Sequence, residues 1–160
     1  MAKPMRDEPG STIHLHQRIL DIKTGQNIFT AADGSHTDAF LHFIGGSQKH
    51  LMSVVALLAP YVNSYRRYTA GMSAPTNLEW AADNRTTGLR IPTSVPEARR
   101  VANSVIGIDC YPYLAIAASL ACRSLVLINK KEPPPPVQRE AYLGRAVLPD
   151  NHADVLTLFE

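Results

Sequence analysis

The sequence predicts an α+β fold in which several short strands are combined with two long helices. Three observations support this class. Apolar residues recur at helical spacing in two stretches, alternate in a few shorter ones, and are separated by turns rich in Gly, Pro and Asn. The chain has 160 residues, 45% of them hydrophobic and 19% charged. These values are typical of one globular domain.

The first part of the chain predicts a strand followed by a helix. Residues 13–22 alternate as a strand does, and the polar residues 27–34 indicate a hairpin or loop. From the N-cap residue Thr37 to the stop at Pro60, five apolar residues keep helical spacing: Phe40, Ile44, Leu51, Val55 and Leu58. The Gly45-Gly46 pair inside this helix costs about 1 kcal/mol per glycine, so we expect a close packing contact there.

The second part predicts further strands and another long helix. Residues 61–77 lack periodicity and indicate an ordered loop. Pro112 is expected to open a helix that follows Leu114, Ala117, Ala118, Ala121, Leu125 and Ile128 and ends near Lys130-Lys131. Residues 133–136 predict a stiff polyproline connector, and residues 152–160 the first turns of a helix. Short strands are predicted at residues 78–80, 88–92 and 99–105, with a turn at Asp83-Asn84 between the first two.

Composition excludes several classes of protein. A formal net charge of +2 gives no global reason to expect a nucleic-acid partner. Two cysteines, Cys110 and Cys122, are too few for a disulfide framework and indicate buried free thiols in a reducing compartment. The first residues lack an apolar signal core, and no apolar run reaches the length of a membrane span. We therefore expect a cytoplasmic protein without a membrane partner.

Two groups of residues carry candidate chemistry. His14 and His16 lie two apart in the first strand and share a face, where they could hold a divalent metal or donate to phosphate oxygens. A solvated strand face is the alternative. Six arginines lie between positions 66 and 100: Arg66, Arg67, Arg85, Arg90, Arg99 and Arg100. They could bind phosphate or carboxylate groups, or form a solvated basic rim, or contact nucleic acid, although the aromatic residues do not alternate with them as a base-stacking platform requires.

The positions of Arg85 and Arg90 raise a geometric question. They are an odd number of residues apart, so an unbroken strand would place them on opposite faces. Gly88 could supply a bulge that brings both side chains to one face.

Six ordered motifs resemble a known family. They are Gly10-Ser11-x-x-His14-x-His16, Leu41-His42-Phe43-Ile44-Gly45-Gly46, Asn63-Ser64-Tyr65-Arg66-Arg67, Ala74-Pro75-x-Asn77, Asn84-Arg85 with Arg90-Ile91-Pro92, and Pro112-Tyr113-Leu114. Together they resemble the C-terminal part of the glutamine synthetase catalytic domain, over residues 1–131. Residues 84–90, residues 113–122 and Ser73 look closest to the γ-glutamylpolyamine synthetase branch. Residues 132–160 are then a Pro-rich connector and a truncated C-terminal helix.

The resemblance implies a fold, a reaction and residue roles. The fold would be a fragment of a curved antiparallel sheet backed by two long helices. The reaction would be ATP-dependent ligation of an amine, ammonia or a polyamine, to the side-chain carboxylate of glutamate through an acyl-phosphate. By position, His14 would ligate Mg²⁺ or Mn²⁺, His16 would contact the nucleotide phosphates and Gly10 would lie beside glutamate. Arg67 would bind on the glutamate side, and Arg85 and Arg90 would bind the nucleotide and the developing phosphate.

Departures from the family pattern predict a loss of activity. Ser73 replaces the flap glutamate, which fits a branch that uses organic amines. Ala102 replaces a metal-ligating glutamate and Ser104 an arginine that grips glutamate; a methyl group cannot ligate a cation, and serine cannot form a bidentate fork. The Glu-x-Glu strand of the family is absent from the sequence. We therefore expect an incomplete metal site and an isolated chain that is inactive.

Two further readings remain open. The chain could be one half of a split enzyme that associates with a separate N-terminal half. It could instead be a degenerate, non-catalytic relative that retains an anion-binding surface. In either case we expect exposed sheet edges and apolar helix faces to cause self-association.

Overall fold

A computed structural model describes residues 1–69, 71, 73–130, 132–144 and 147–157, without the side chains of residues 123 and 125–129. Within this part of the chain lie four strands, β1 (Leu15–Gln17), β2 (Trp80–Ala82), β3 (Leu89–Ile91) and β4 (Val101–Asn103). The α-helices are α1 (Asp38–His50), α2 (Val55–Leu58), α3 (Val62–Tyr65), α4 (Pro112–Asn129) and α5 (His152–Leu156). The α+β class predicted from the sequence is confirmed.

The strands form one sheet in the order β1-β4-β3-β2. β4 pairs antiparallel with both β1 and β3, but β2 pairs parallel with β3. The sheet is therefore mixed, which corrects the prediction of an antiparallel sheet. A turn does occur at Asp83, where φ is 44°, but residues 83–88 cross back to the start of β3 and form no hairpin. Only three residues of the predicted strand 13–22 are strand.

The first long helix is shorter than its apolar pattern predicts. Thr37 caps α1, since its hydroxyl oxygen accepts a hydrogen bond from the Phe40 amide at 3.4 Å. The helix ends at His50, and a 3₁₀ turn (Met52–Val54) separates it from α2, so the apolar spacing continues through a bend. The Gly45-Gly46 pair is buried, and α1 packs against α4 as the second long helix. The loop predicted over residues 61–77 contains the short helix α3.

The hydrophobic core lies between the sheet and the helices. Phe29, from the loop predicted over residues 27–34, is fully buried and its ring contacts those of Phe40 and Phe43 at 5.6 and 4.8 Å. α4 contributes Ala115, Ala118 and Cys122, whereas the predicted positions Leu114, Ala117 and Ala121 are exposed. The buried positions of α4 therefore lie one residue after three of the predicted ones, and Ala118 is buried as predicted. The predictions at Leu125 and Ile128 concern side chains outside the described ones.

Residues 132–144, here called the C-terminal strap, run beside β2. The Val137 amide donates to the Trp80 carbonyl at 3.0 Å, and the Trp80 indole donates to the Pro134 carbonyl at 2.7 Å. Both cysteines are buried thiols that form no disulfide bond, as predicted. Among the described residues, no helix combines the length and the apolar character needed to cross a membrane.

Candidate functional site

One face of the sheet opens onto a cleft of about 670 Å³. Residues from several separate segments line it: His14, His16, Gly71, Ser73, Arg85, Thr86, Arg90, Ser104, Glu140 and Tyr142. Strand pairing explains how distant residues meet here. His16 of β1 and Arg90 of β3 both pair with Ala102 of β4, so the three side chains form one row across the sheet. The strand sequence therefore places an imidazole and a guanidinium on either side of a methyl group.

His14 lies beside His16 on the same face, as the two-residue spacing predicts. Its Nδ1 lies 3.3 Å from the Ser104 hydroxyl oxygen, and the Arg100 Nε donates to the His16 Nδ1 at 3.2 Å. Burial lowers the pKa of His14, and Arg90, Arg67 and Arg85 lower it further. The pKa of His16 is also lowered, first by burial and then by Arg100. Burial first, and the neighbouring guanidinium groups second, therefore favour the neutral form of both imidazoles.

Arg85 and Arg90 line the same cleft despite their odd spacing. Arg85 lies in the connection between β2 and β3, outside either strand, so strand alternation does not apply to it. At Gly88 the structure shows a close approach to the backbone of Asn77 in place of the predicted bulge. A Cβ at this position would collide with the Asn77 carbonyl oxygen. Arg90 also forms an ion pair with Asp83 at 3.1 Å. Two arginines thus meet the two histidines around one concavity.

Gly10 and Arg67 are brought together, and the Arg67 side chain is buried. A Cβ at Gly10 would lie 2.9 Å from the Arg67 Cγ, so glycine permits the close approach. Arg67 is 1% exposed, donates to the Val105 carbonyl and lies 4.9 Å from the Tyr68 ring centre. Burial raises the pKa of Tyr68 to about 12, with the nearby Arg67 acting in the opposite direction. A substrate carboxylate could reach Arg67 only after these contacts rearrange.

The remaining arginines have other surroundings. Arg99 donates to the carbonyls of Gly34 and Ser35 at 2.8 and 2.6 Å, and so holds the loop before α1. Arg66 lines a separate pocket near Lys3 and Arg6. Arg99 therefore has a structural role, and Arg66 belongs to a different surface. Among the six arginines, Arg85 and Arg90 are the two that line the cleft.

The sequence singles out six of the ten lining residues but not Gly71, Thr86, Glu140 or Tyr142. Ser73, with φ at 62°, was considered only as a family departure, and Thr86 was not singled out. Glu140 and Tyr142 both come from the strap, for which the sequence predicts only a Pro-rich connector. No spacing signal links residues 140–142 to His14, because only the folding of the strap against β2 brings them near.

The described residues do not complete a site for Mg²⁺ or Mn²⁺. They contain no group of three His, Cys, Asp or Glu side chains that could hold a metal ion. Hard cations take six or more ligands, mainly oxygens, whereas this cleft offers two imidazoles and one carboxylate, Glu140, beside two arginines. Phosphate oxygens fit the same groups well, since arginine binds them through charge-assisted hydrogen bonds. The cleft can therefore hold a phosphate group, with no metal-dependent step assigned to it.

Comparisons with known proteins show which family the chain resembles. The family model for the glutamine synthetase catalytic domain matches residues 1–160. The chain is 38% identical to glutamine synthetase of Thermus thermophilus over 89% of its own length and 32% of that protein's. It is 42% identical to type-1 glutamine synthetase 2 of Dictyostelium discoideum, over 82% of the chain and 26% of the relative.

A relative with a different substrate in its name matches equally well. The chain is 40% identical to gamma-glutamylputrescine synthetase of Escherichia coli, over 76% of the chain and 25% of that protein. The chain thus spans about a third or less of the length of these curated relatives. Since the family model covers all 160 residues, the chain belongs to the glutamine synthetase family and corresponds to part of its catalytic domain.

Proposed function

We propose that this chain binds nucleotide phosphates in the cleft between β1, β3 and the strap, and does not complete the family's ligation reaction alone. The observation that supports this most is the convergence of Arg85, Arg90, His14 and His16 on one concavity. A phosphate group there would receive charge-assisted hydrogen bonds from two arginines. Arginine keeps its charge at every physiological pH, so the site needs no activation to bind an anion.

The family's reaction has two steps. The γ-phosphoryl group of ATP is transferred to the side-chain carboxylate of glutamate, and an amine nitrogen then attacks the acyl carbon while phosphate leaves. Negative charge develops on phosphoryl oxygens, so preorganised cationic groups and metals carry the catalysis. In this chain Arg85 and Arg90 would orient the phosphates, and Gly10 and Arg67 would lie on the glutamate side. ATP and a divalent metal are the implied cofactors, with the metal ligands incomplete.

Two positions, one on β4 and one directly after it, support the absence of catalysis. Ala102 lies between His16 and Arg90, where the family pattern places a metal-ligating glutamate. Ser104 lies beside His14, where the pattern places an arginine. A single lost electrostatic contact to a charged transition state can cost about 3–4 kcal/mol, so several losses together would reduce the rate to background.

The acceptor would be an organic amine, most simply a polyamine. Ser73 lines the cleft at the position of the flap glutamate, which in the family takes a proton from ammonium. The gamma-glutamylputrescine and glutamine synthetase relatives match at similar identity. The choice of a polyamine rests on Ser73 and on the resemblance of residues 84–90 and 113–122 to that branch.

Titration calorimetry with ATP and with inorganic pyrophosphate tests anion binding. We expect weak binding that falls as salt is added, because exposed charges are screened within about 10 Å at 0.1 M ionic strength. The double variant Arg85→Ala/Arg90→Ala should abolish it. Arg6→Ala, which removes an exposed arginine from another pocket, is the control and should bind as before. Binding that ignores salt or survives the double substitution would refute the site.

Catalysis is tested by release of phosphate from ATP with glutamate and either ammonia or putrescine. We expect none above a heat-killed control, and none after Ala102→Glu/Ser104→Arg, since the Glu-x-Glu strand is still lacking. Activity of the unmodified chain that depends on His14 would overturn the proposal. Adding a separately expressed N-terminal part of a relative to the double variant tests the split-enzyme alternative; rescue would favour it over a degenerate, anion-binding chain.

A further inference from the structure

The C-terminal strap contributes one carboxylate, that of Glu140, to the cleft that Arg85 also lines. The Asn84 side-chain amide donates to the Arg139 carbonyl at 2.9 Å, and the Ala141 amide donates to the Thr86 hydroxyl at 2.7 Å. These bonds join the residues on either side of Arg85 to the residues on either side of Glu140. Arg85 and Glu140 are thereby held at the same level of the cleft, on two different segments.

The position of Glu140 is fixed from further along the strap as well. The Arg139 guanidinium forms an ion pair with Glu79 at 2.8 Å, immediately before β2. Two hydrogen bonds with Trp80, through Val137 and Pro134, hold the strap along the strand. Glu140 is therefore carried by a segment with several independent attachments to the sheet.

Arg85 and Glu140 do not form an ion pair with each other. Arg85 and Glu140 both line the cleft, yet the ion pairs formed by the described residues are Arg90–Asp83 and Arg139–Glu79. Within the described lining, Glu140 is the single carboxylate. The charge of Glu140 acts on its neighbour Tyr142. Burial raises the pKa of the Tyr142 hydroxyl, and Glu140 raises it further. The cleft thus has two guanidinium groups, Arg85 and Arg90, on the side of the sheet, and one carboxylate, Glu140, on the strap.

We propose that Glu140 binds a cationic amino group of the acceptor amine, across the cleft from the phosphate held by Arg85. This inference rests on the proposed function. An ammonium group donates up to three hydrogen bonds, which a carboxylate accepts. A diamine or polyamine carries a second amino group for this contact while the first faces the reacting centre. Ammonia has no second group, so Glu140 would select organic amines.

The experiment measures two ligands on the same variants of the full chain. Putrescine and pyrophosphate are titrated separately into the wild-type chain, Glu140→Gln and Glu132→Gln by calorimetry at low salt. Glu132 is an exposed acid on the strap and serves as the matched control. Glu140→Gln should weaken putrescine binding about fivefold and leave pyrophosphate binding unchanged or tighter. Glu132→Gln should change neither, and a general loss of folding would weaken both ligands together.

Each outcome decides one proposal. Unchanged putrescine binding in Glu140→Gln, or equal weakening of both ligands, overturns the role of Glu140. A wild-type chain that binds pyrophosphate but not putrescine also overturns it, while the anion site stands. A wild-type chain that binds putrescine but not pyrophosphate overturns the proposed function alone. A chain that binds neither overturns both.

Discussion

The two faces of the four-stranded sheet differ in what they contribute. Strand pairing aligns Leu15, Asn103, Leu89 and Trp80 in one row, and His16, Ala102, Arg90 and Ala81 in the next. The first row faces the core, where Leu89 is fully buried. In the second row His16 and Arg90 line the cleft, whereas Ala102 and Ala81 are buried. The core-facing row therefore contributes most to stability, whereas His16 and Arg90 of the other row line the candidate site. Charged side chains can for this reason be removed from the cleft without loss of the fold.

The largest effect should come from breaking the core row. Leu89→Ala removes a fully buried side chain and should lower the free energy of unfolding by about 2–5 kcal/mol, through lost burial and the cavity left behind. Its cleft-facing neighbour Arg90 forms a partly exposed ion pair with Asp83, so Arg90→Ala should cost about 1 kcal/mol or less. Urea unfolding of both variants measures the difference. Equal losses would contradict the division between the two faces.

The next effect should come from restoring charge to the cleft row. Ala102→Glu would place a carboxylate between His16 and Arg90, which reduces the positive field. We expect pyrophosphate binding to weaken about fivefold and the pKa of His16 to rise above its wild-type value, because an opposite charge stabilises the imidazolium. Calorimetry and an NMR titration of the histidines measure the two changes.

Ala102→Gln is the control for that variant, since it has nearly the same size without the charge. It should leave the pKa of His16 close to the wild-type value. If Gln and Glu weaken pyrophosphate equally, the effect is steric and the electrostatic interpretation of the cleft row is wrong.

The two faces also differ in how far the sequence predicts them. Helical spacing located α1 and α4, and the two-residue spacing of His14 and His16 correctly placed both imidazoles on one face. The parallel pairing of β2 with β3 was not predictable, because six residues between short strands normally indicate a hairpin. Glu140 was missed since its place depends on hydrogen bonds of the strap with distant residues. Periodicity reports local structure, whereas the cleft is assembled from five separate segments.

A smaller effect is expected from the exposed side of α4. Tyr113, Leu114, Ile116 and Leu120 are 75%, 48%, 43% and 47% exposed and lie within two helical turns. Apolar surface of this kind favours association, so we expect the chain to form oligomers at micromolar concentration. The double variant Ile116→Glu/Leu120→Glu should shift it towards monomer. Ile22→Glu, at an exposed apolar residue elsewhere, is the control. A wild-type monomer in size-exclusion chromatography with light scattering would contradict this expectation.

The smallest effect should be a dependence of stability on pH that originates in the cleft. The pKa of His14 is lowered in the folded chain, first by burial and then by Arg90. Between that lowered pKa and the ordinary value of 6.5, the unfolded chain binds more protons than the folded chain. The free energy of unfolding therefore decreases as the pH falls through this range.

Two variants connect that decrease to the cleft. His14→Gln removes the titrating group, and Arg90→Gln removes one of the charges that oppose its protonation, so each should flatten the fall in melting temperature between pH 7.5 and pH 5.5 relative to the wild-type chain. Added pyrophosphate should flatten it further in the wild-type chain, because a bound anion stabilises the imidazolium. A slope that neither variant alters would place the pH dependence outside this site.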